Sequence, residues 1–162
     1  MIKCKPVRDA KKAAMLVILF VVIALVSAAC SCLFQSFKGV YQLIFLVVLT
    51  LGINLVVRYT MTEMEYALTD DSFEVRKKVG NKSTLVCSLA ISETVALTDK
   101  RTYKEKADTY GYVARKYNFN QNIMADSVIY LCDFNGKIIL VEFEPNVAFY
   151  NCFVKKIEEN KK

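Results

Sequence analysis

The sequence predicts a hairpin of two membrane-spanning helices followed by a β-rich domain of about seven antiparallel strands and a C-terminal amphipathic helix. Three observations support this fold class. Two uncharged apolar runs lie within the first 57 residues, a period of two dominates residues 63–143, and a helical period follows Pro145. The 162 residues are 54% hydrophobic and their mean hydropathy is positive, as expected of a chain with membrane spans.

The two apolar runs are long enough to cross a bilayer. Residues 13–34 and residues 40–57 contain no charged side chain. Each run is close to the roughly 20 residues that a helix needs to span the hydrocarbon core. The five residues between them, QSFKG, allow only a tight turn. We therefore predict a transmembrane hairpin over residues 13–57 whose two ends lie on the same side of the membrane.

Positive charge predicts the side on which the ends lie. Arg58 closes the second helix, whereas the turn carries only Lys38. The arm of residues 1–12 has one acid and five cations, which are Lys3, Lys5, Arg8, Lys11 and Lys12. Because Lys and Arg are retained in the cytoplasm, we predict a multi-pass cell-membrane protein with both termini cytoplasmic. This basic arm favours contact with anionic lipid, and it holds most of the net charge of +6.

A signal peptide is the alternative interpretation of a basic start followed by an apolar run. Ser27-Ala28-Ala29-Cys30 approaches a lipoprotein cleavage box. That box requires Leu or a similar residue three positions before the cysteine, where this sequence has Ser27. The apolar run is also long for a signal peptide, so the hairpin is the favoured interpretation.

Alternating apolar and polar residues predict the strands of a cytoplasmic domain over residues 60–162. The alternation is clear at residues 63–69 and 73–78, which the turn Asp70-Asp71 joins. Asn135-Gly136 predicts a later hairpin because both positions tolerate positive φ. Residues 99–111 mix charges and tyrosines without an apolar face, and we predict an irregular loop there. The further strands are predicted at residues 83–90, 93–98, 112–119, 127–133 and 137–143.

The stretch VEFEPNVAFY, residues 141–150, contains two carboxylates that could begin an active site. The same residues are typical of a strand that ends and a helix that begins. Pro145 cannot donate to a sheet, and Asn146 is a predicted N-cap. Apolar residues then recur at three- and four-residue steps, which indicates an amphipathic helix.

This order of elements, together with two stretches of sequence, resembles a known family. The pleckstrin-homology-like (PH-like) barrel has the same order, with short strands followed by one helix. The stretch YALTDDSFEVRKKVGNK (66–82) looks like the opening hairpin of bacterial PH-like domains. The end of the chain, NGKIILVEFEPNVAFYNCFVKKI (135–157), is similar to small uncharacterised membrane proteins of Gram-positive bacteria that carry a two-helix anchor. The resemblance implies a PH-like fold and a membrane location. It implies no activity, so no functional residue is carried over.

The composition excludes most catalytic chemistries. The chain has no histidine, which rules out Ser-His and Cys-His nucleophiles and the usual zinc ligand sets. None of its five glycines lies in a phosphate-binding loop motif. We predict neither an enzyme nor a cofactor, metal or small-molecule site. The expected partners are the lipid bilayer and another protein or a second copy of the chain, rather than nucleic acid.

The predicted role is a non-catalytic, membrane-anchored scaffold or interaction protein. The alternative is a regulator that senses anionic lipid headgroups at the inner membrane face. For the headgroup contacts below, the plainer interpretation is charge that sets the topology and touches the inner leaflet nonspecifically. For the partner loop, it is a solvated loop beside an edge strand. Candidate headgroup contacts are Lys3, Lys5, Arg8, Lys11, Lys12, Arg76, Lys77, Lys78 and Lys82. A candidate partner loop contains Lys100, Arg101, Tyr103, Lys104 and Tyr110.

Overall fold

The structure is a computed structural model, and it describes residues 1–33, 35–123 and 125–160. The chain divides into two compact units, a helical unit of residues 9–62 and a β unit formed by residues 1–8 and 63–162. The predicted fold class is confirmed, with two long apolar helices, a β-rich part and a C-terminal helix. Phe34, the end of the predicted first span, lies outside the described residues. Met124, in a predicted connection, and residues 161–162, at the end of the predicted domain, also lie outside the described residues.

The helical unit is a pair of helices connected by a short turn. Helix α1 spans Ala10–Leu33 and helix α2 spans Lys38–Val56, with a 3-10 turn at Gln35–Phe37 and a π-helical turn at Val57–Met61. Both helices are long and apolar enough to cross a membrane. Their buried residues are only Ala13, Ser27 and Gly52. Such exposure is unlike that of a core helix in a soluble protein, which is mostly buried.

The two helices pack closely at one glycine, and three of their polar side chains form hydrogen bonds within their own helix. A Cβ atom on Gly52 would lie 3.1 Å from Cδ1 of Phe20, so a larger residue would push the helices apart. The hydroxyls of Ser27 and Thr50 each donate 2.9 Å hydrogen bonds to backbone carbonyls of their own helix, and so does the amide of Asn54. These groups therefore need no water, as a hydrocarbon environment requires.

Over its described residues, the β unit contains eight strands in two four-stranded sheets. The first sheet has the order β1-β2-β3-β4, and the second has the order β5-β7-β8-β6. The strands of the first sheet are β1 (Ile2–Cys4), β2 (Thr62–Leu68), β3 (Ser72–Val79) and β4 (Lys82–Ala90). Those of the second are β5 (Thr94–Asp99), β6 (Val113–Asn118), β7 (Val128–Phe134) and β8 (Lys137–Phe143).

Two features of the strands differ from the predicted seven antiparallel strands. The additional strand, β1, pairs antiparallel with Tyr66–Leu68 of β2. Its three residues are too few to show alternation within a lysine-rich arm. Strand β6 runs parallel to β8, because the chain crosses over through the connection 119–127 and strand β7 before it returns beside β6.

The prediction of an irregular loop at residues 99–111 was wrong. Helix α3 spans Lys100–Glu105, and a 3-10 turn spans Ala107–Tyr110. The Asp99 carboxylate caps α3 by accepting from the Thr102 N–H at 3.2 Å. The rings of Tyr103 and Tyr110 stack with centroids 6.0 Å apart and pack on a small apolar cluster of the second sheet. The segment packs through these two partly buried tyrosines, so its sequence shows no periodic apolar face.

The C-terminal helix and the joint that precedes it follow the prediction. Helix α4 spans Val147–Asn160, and the Asn146 side chain accepts from the Phe149 N–H at 2.8 Å. Its apolar face inserts Phe149 and Phe153 into the core between the sheets. The Phe153 ring stacks on Phe73 with centroids 5.0 Å apart. Aromatic pairs of this kind contribute about 0.5–1.5 kcal/mol each beyond the area that they bury.

Candidate binding surfaces

A cavity of about 300 Å³ in the β unit collects part of the predicted headgroup set, and we call it the basic cavity. Its walls come from the segment after β1, the start of β2, the end of β3 and the connection 119–127. It is lined by Lys5, Pro6, Arg8, Glu63, Met64, Glu65, Lys78 and Gln121. The fold thus brings three predicted cations together although up to 73 positions of sequence separate them.

Glu65 neutralises part of the positive charge of the basic cavity. Its carboxylate lies 2.8 Å from Nζ of Lys3 and 3.4 Å from Nζ of Lys5. The hydrogen bond from Lys3 lowers the pKa of Glu65, partial burial opposes that shift, and Lys5 adds to it. These two lysines therefore hold the first strand against the second. They are less available to an external anion than Lys78.

The connection 119–127 forms the far wall of the basic cavity. The Met64 N–H donates to Oε1 of the buried Gln121 at 2.7 Å. Nδ2 of Asn122 donates to the Val7 carbonyl at 2.7 Å and to Glu144 at 2.9 Å. Sequence reasoning missed Gln121 because no local pattern links it to a residue 57 positions away. It also missed Glu63 and Glu65, although strand alternation places both on one face.

The other predicted headgroup residues lie outside the basic cavity. Lys11 and Lys12 belong to α1 in the helical unit, where Lys12 lies 3.3 Å from Asp9. Arg76 pairs with Glu74 at 3.0 Å on the face of β3 opposite the core. The side chains of Lys77 in β3 and Lys82 in β4 are exposed.

The predicted partner loop, residues 100–110, is an ordered segment with internal contacts. Lys100 forms a 2.7 Å ion pair with Glu142, and Arg101 lies 3.3 Å from Glu105. Tyr103 and Tyr110 are the stacked pair described above. Lys104 is exposed on α3. The surface that this segment offers to a partner is therefore its charged outer side.

The carboxylates of Glu142 and Glu144 hold together segments that are distant in the sequence. Oε1 of Glu142 accepts hydrogen bonds from Lys100 at 2.7 Å, Ser127 at 2.6 Å and Asn120 at 3.1 Å. Burial raises the pKa of Glu142, but these three hydrogen bonds outweigh it and leave the pKa lowered. A carboxylate that is held ionised is a poor proton donor at neutral pH.

Three other chemically reactive groups in the β unit are paired or have a raised pKa. Asp70 in the first hairpin turn forms a 3.0 Å ion pair with Lys156 of α4. Burial raises the pKa of Cys87 and of Cys132 to about 11 each, which suppresses the nucleophilic thiolate. Across residues 1–33, 35–123 and 125–160, no group of three or more acidic, cysteine or histidine side chains is placed to hold a metal ion.

Comparison with known proteins identifies one match. A family model described as "Bacterial PH-like domain (DUF6106)" matches residues 3–161. The matched range begins within strand β1 and includes both apolar helices and the β unit through α4, so the helices and the β unit are matched together. The match confirms the resemblance to bacterial PH-like domains. No curated protein and no solved structure matches the chain.

Proposed function

The chain belongs to the bacterial PH-like domain family (DUF6106), and on that premise we propose that it is a non-catalytic, membrane-anchored interaction protein. The observation that carries the proposal is the combination, within one family match, of two exposed apolar helices with a PH-like β unit. Lipid would cover the helices, because side chains of the described chain bury very few of their residues. The β unit would then supply binding rather than chemistry.

The charges that flank the helices support a topology with both ends cytoplasmic. Five cations precede or begin α1, and Arg58 follows α2, whereas the turn between them has only Lys38. The β unit is built from segments on both sides of the hairpin, so it would lie at the cytoplasmic face.

Purification from membranes tests the interaction role. The full chain is cross-linked in cells and isolated in mild detergent beside residues 9–62 alone as the control. We expect one protein, or a second copy of the chain, to be retained by the full chain and absent from the hairpin control. Substituting Lys104→Glu on α3 should reduce that retention if the partner segment is the contact. Equal recovery of every protein with both baits would contradict the interaction role.

A second candidate function, recognition of anionic lipid headgroups, is supported by the basic cavity. Lys5, Arg8 and Lys78 line it, and Arg8 and Glu63 adjoin the helical unit in the sequence. If the helices cross the bilayer, this connection keeps Arg8 and Glu63 near the lipid surface. A basic residue such as Arg8 contributes about 1 kcal/mol of attraction to anionic lipid there.

Native mass spectrometry of the full chain tests headgroup recognition. The protein is exchanged into nanodiscs that contain phosphatidylglycerol and phosphatidylcholine, and retained lipids are counted. Lys78→Glu in the basic cavity should reduce retained phosphatidylglycerol, whereas Lys82→Glu outside it should not. If both variants retained equally less phosphatidylglycerol, general charge attraction would explain the binding. That result would contradict a headgroup site.

A further inference from the structure

Two adjoining cavities lie along strand β6, an edge strand of the second sheet, and the smaller one also borders β4, an edge strand of the first. The smaller cavity has a volume of about 230 Å³ and the larger one a volume of about 630 Å³. Both cavities are lined by Tyr117 of β6, Phe134 of β7 and Ile139 of β8. We use the term seam for the two cavities together. Every residue that lines the seam belongs to the β unit.

One wall of the seam is a strand edge rather than a strand face. Four consecutive residues of β4, 86–89, line the smaller cavity. Side chains alternate between the two faces of a strand, so a face would present alternate residues and a run of neighbours marks the edge. Among the described strands, β4 pairs only with β3, and its other edge has no strand beside it. Such an edge presents backbone groups to which a further strand can add.

A bulge limits the length of a strand that could add to β4. Cys87 is the partner of Val75, and Leu85 is the partner of Arg76, so Val86 is an extra residue in β4. Bulges interrupt regular pairing along an edge. The regular part of β4 that borders the seam therefore runs from Cys87 to Leu89. Beyond it, the Ala90 carbonyl already accepts from the Tyr130 hydroxyl at 3.3 Å. This edge suits a short added segment of about three residues.

The floor and rim of the seam are apolar and partly exposed. Tyr112 is 86% exposed, Phe134 is 47% exposed and Val86 is 40% exposed. Tyr117 and Phe119 stack at the base with ring centroids 5.8 Å apart. Concave apolar surfaces that remain open in a monomer are characteristic of binding sites.

The charge of the seam is positive. Arg115 and Lys137 are the charged residues among those that line it, and no carboxylate lines it. Within the described chain, neither cation forms an ion pair; Arg115 donates to the Tyr117 hydroxyl at 3.4 Å. Charge complementarity therefore favours an acidic occupant.

We propose that the seam binds a short, acidic, extended peptide segment of a partner protein, which adds as a strand to the edge of β4. The proposal rests on the proposed interaction role and names the class of partner. Backbone groups on the edge pair with the peptide, apolar side chains enter the two cavities, and acidic side chains meet Arg115 and Lys137. A flat bilayer cannot reach Tyr117 and Phe119 at the base of a concave surface, and lipid has no strand to offer β4.

Fluorescence anisotropy on the full chain in phosphatidylcholine nanodiscs tests this proposal. The probe is a fluorescein-labelled peptide of four Val-Glu repeats, and the comparison peptide has four Val-Lys repeats. We expect the acidic peptide to bind and the basic one to bind far more weakly. The double variant Arg115→Glu/Lys137→Glu should weaken binding by about tenfold or more. Lys77→Glu/Lys155→Glu makes the same change in charge at exposed positions outside the seam and should have little effect.

Amide hydrogen exchange then locates the bound peptide. Slower exchange confined to residues 86–89 and neighbouring seam residues is the expected result. Failure of both peptides to bind, equal binding of both, or insensitivity to the seam variant would each overturn the proposal. Loss of phosphatidylglycerol binding in the seam variant, without peptide binding, would assign the seam to lipid instead. If the seam variant retains the protein captured from membranes, the interaction role stands and only the seam assignment fails.

Discussion

Single side chains at the joint between β8 and α4 connect segments that are far apart in the sequence. Asn146 caps α4 through its side chain, and its backbone N–H donates to Sγ of Cys4 at 3.4 Å. The cap was predictable because its partner lies three residues away. The roles of Glu142 and Glu144 were not, because their partners lie 15 to 42 positions away in segments whose fold no local pattern reveals.

Removing the cap should destabilise the β unit. Asn146→Ala leaves the Phe149 N–H without its side-chain acceptor, and we expect a loss of about 0.5–2 kcal/mol in the free energy of unfolding. Denaturant unfolding of the full chain in detergent measures it. Asn160→Ala at the exposed end of the same helix is the matched control and should change little. Equal stability of the cap variant and the wild type would show that Asn146 does not hold the helix start.

The Glu142 cluster should make stability depend on acid pH. The folded pKa of Glu142 lies below its ordinary value near 4.5, so the ionised carboxylate stabilises the fold above that pH. This contribution is lost as the pH falls through the folded pKa. We expect Glu142→Gln to lower the free energy of unfolding by about 1–3 kcal/mol at pH 7. The difference from the wild type should shrink as the pH falls below about 4.5.

Unfolding curves between pH 3 and pH 7 check the Glu142 prediction. The control is Glu105→Gln, which removes a carboxylate from the exposed pair with Arg101. Exposed pairs contribute little, so this variant should follow the wild type. A difference between Glu142→Gln and the wild type that stays constant across this pH range would argue against an ionised, hydrogen-bonded carboxylate.

At the scale of elements, the short strand β1 is the largest departure from the sequence prediction. It binds residues 1–8 into the β unit, although their charges suggested a separate basic arm. Lys3 and Lys5 hold it through Glu65, while Cys4 is buried in the core. Strands of the first hairpin were predictable from alternation alone. Strand β1 depends on a partner more than 60 residues away, and β6 on a crossover.

Reversing the charges beside Cys4 should release β1. Lys3→Glu/Lys5→Glu places two new carboxylates next to Glu65, so repulsion should expose the buried Cys4. Mass spectrometry after brief alkylation should show faster labelling of Cys4, with Cys152 in the same protein as the internal reference. Lys77→Glu/Lys82→Glu is the charge-matched control and should leave Cys4 protected. Unchanged labelling of Cys4 would mean that the lysine pairs do not hold the strand.

At the scale of the whole molecule, the architecture was predictable because the sequence patterns that determine it repeat over many residues. Two apolar runs, alternation over some 80 residues and one helical period identify the elements without tertiary information. The binding surfaces were not predictable to the same degree. The basic cavity requires the pairing of β1 with β2, and the seam requires knowing which strands lie at the two sheet edges.

The proposed function depends on a membrane hairpin whose two ends are cytoplasmic. A pair of reporter fusions tests this topology. A reporter that is active only outside the cell is fused to the C-terminus in one strain. In the other it is inserted between Phe37 and Lys38 in the turn between the helices. The proposed topology predicts no activity from the C-terminal fusion and strong activity from the turn fusion, with both proteins in the membrane fraction. Strong activity from the C-terminal fusion, or recovery of the chain in the soluble fraction, would contradict it.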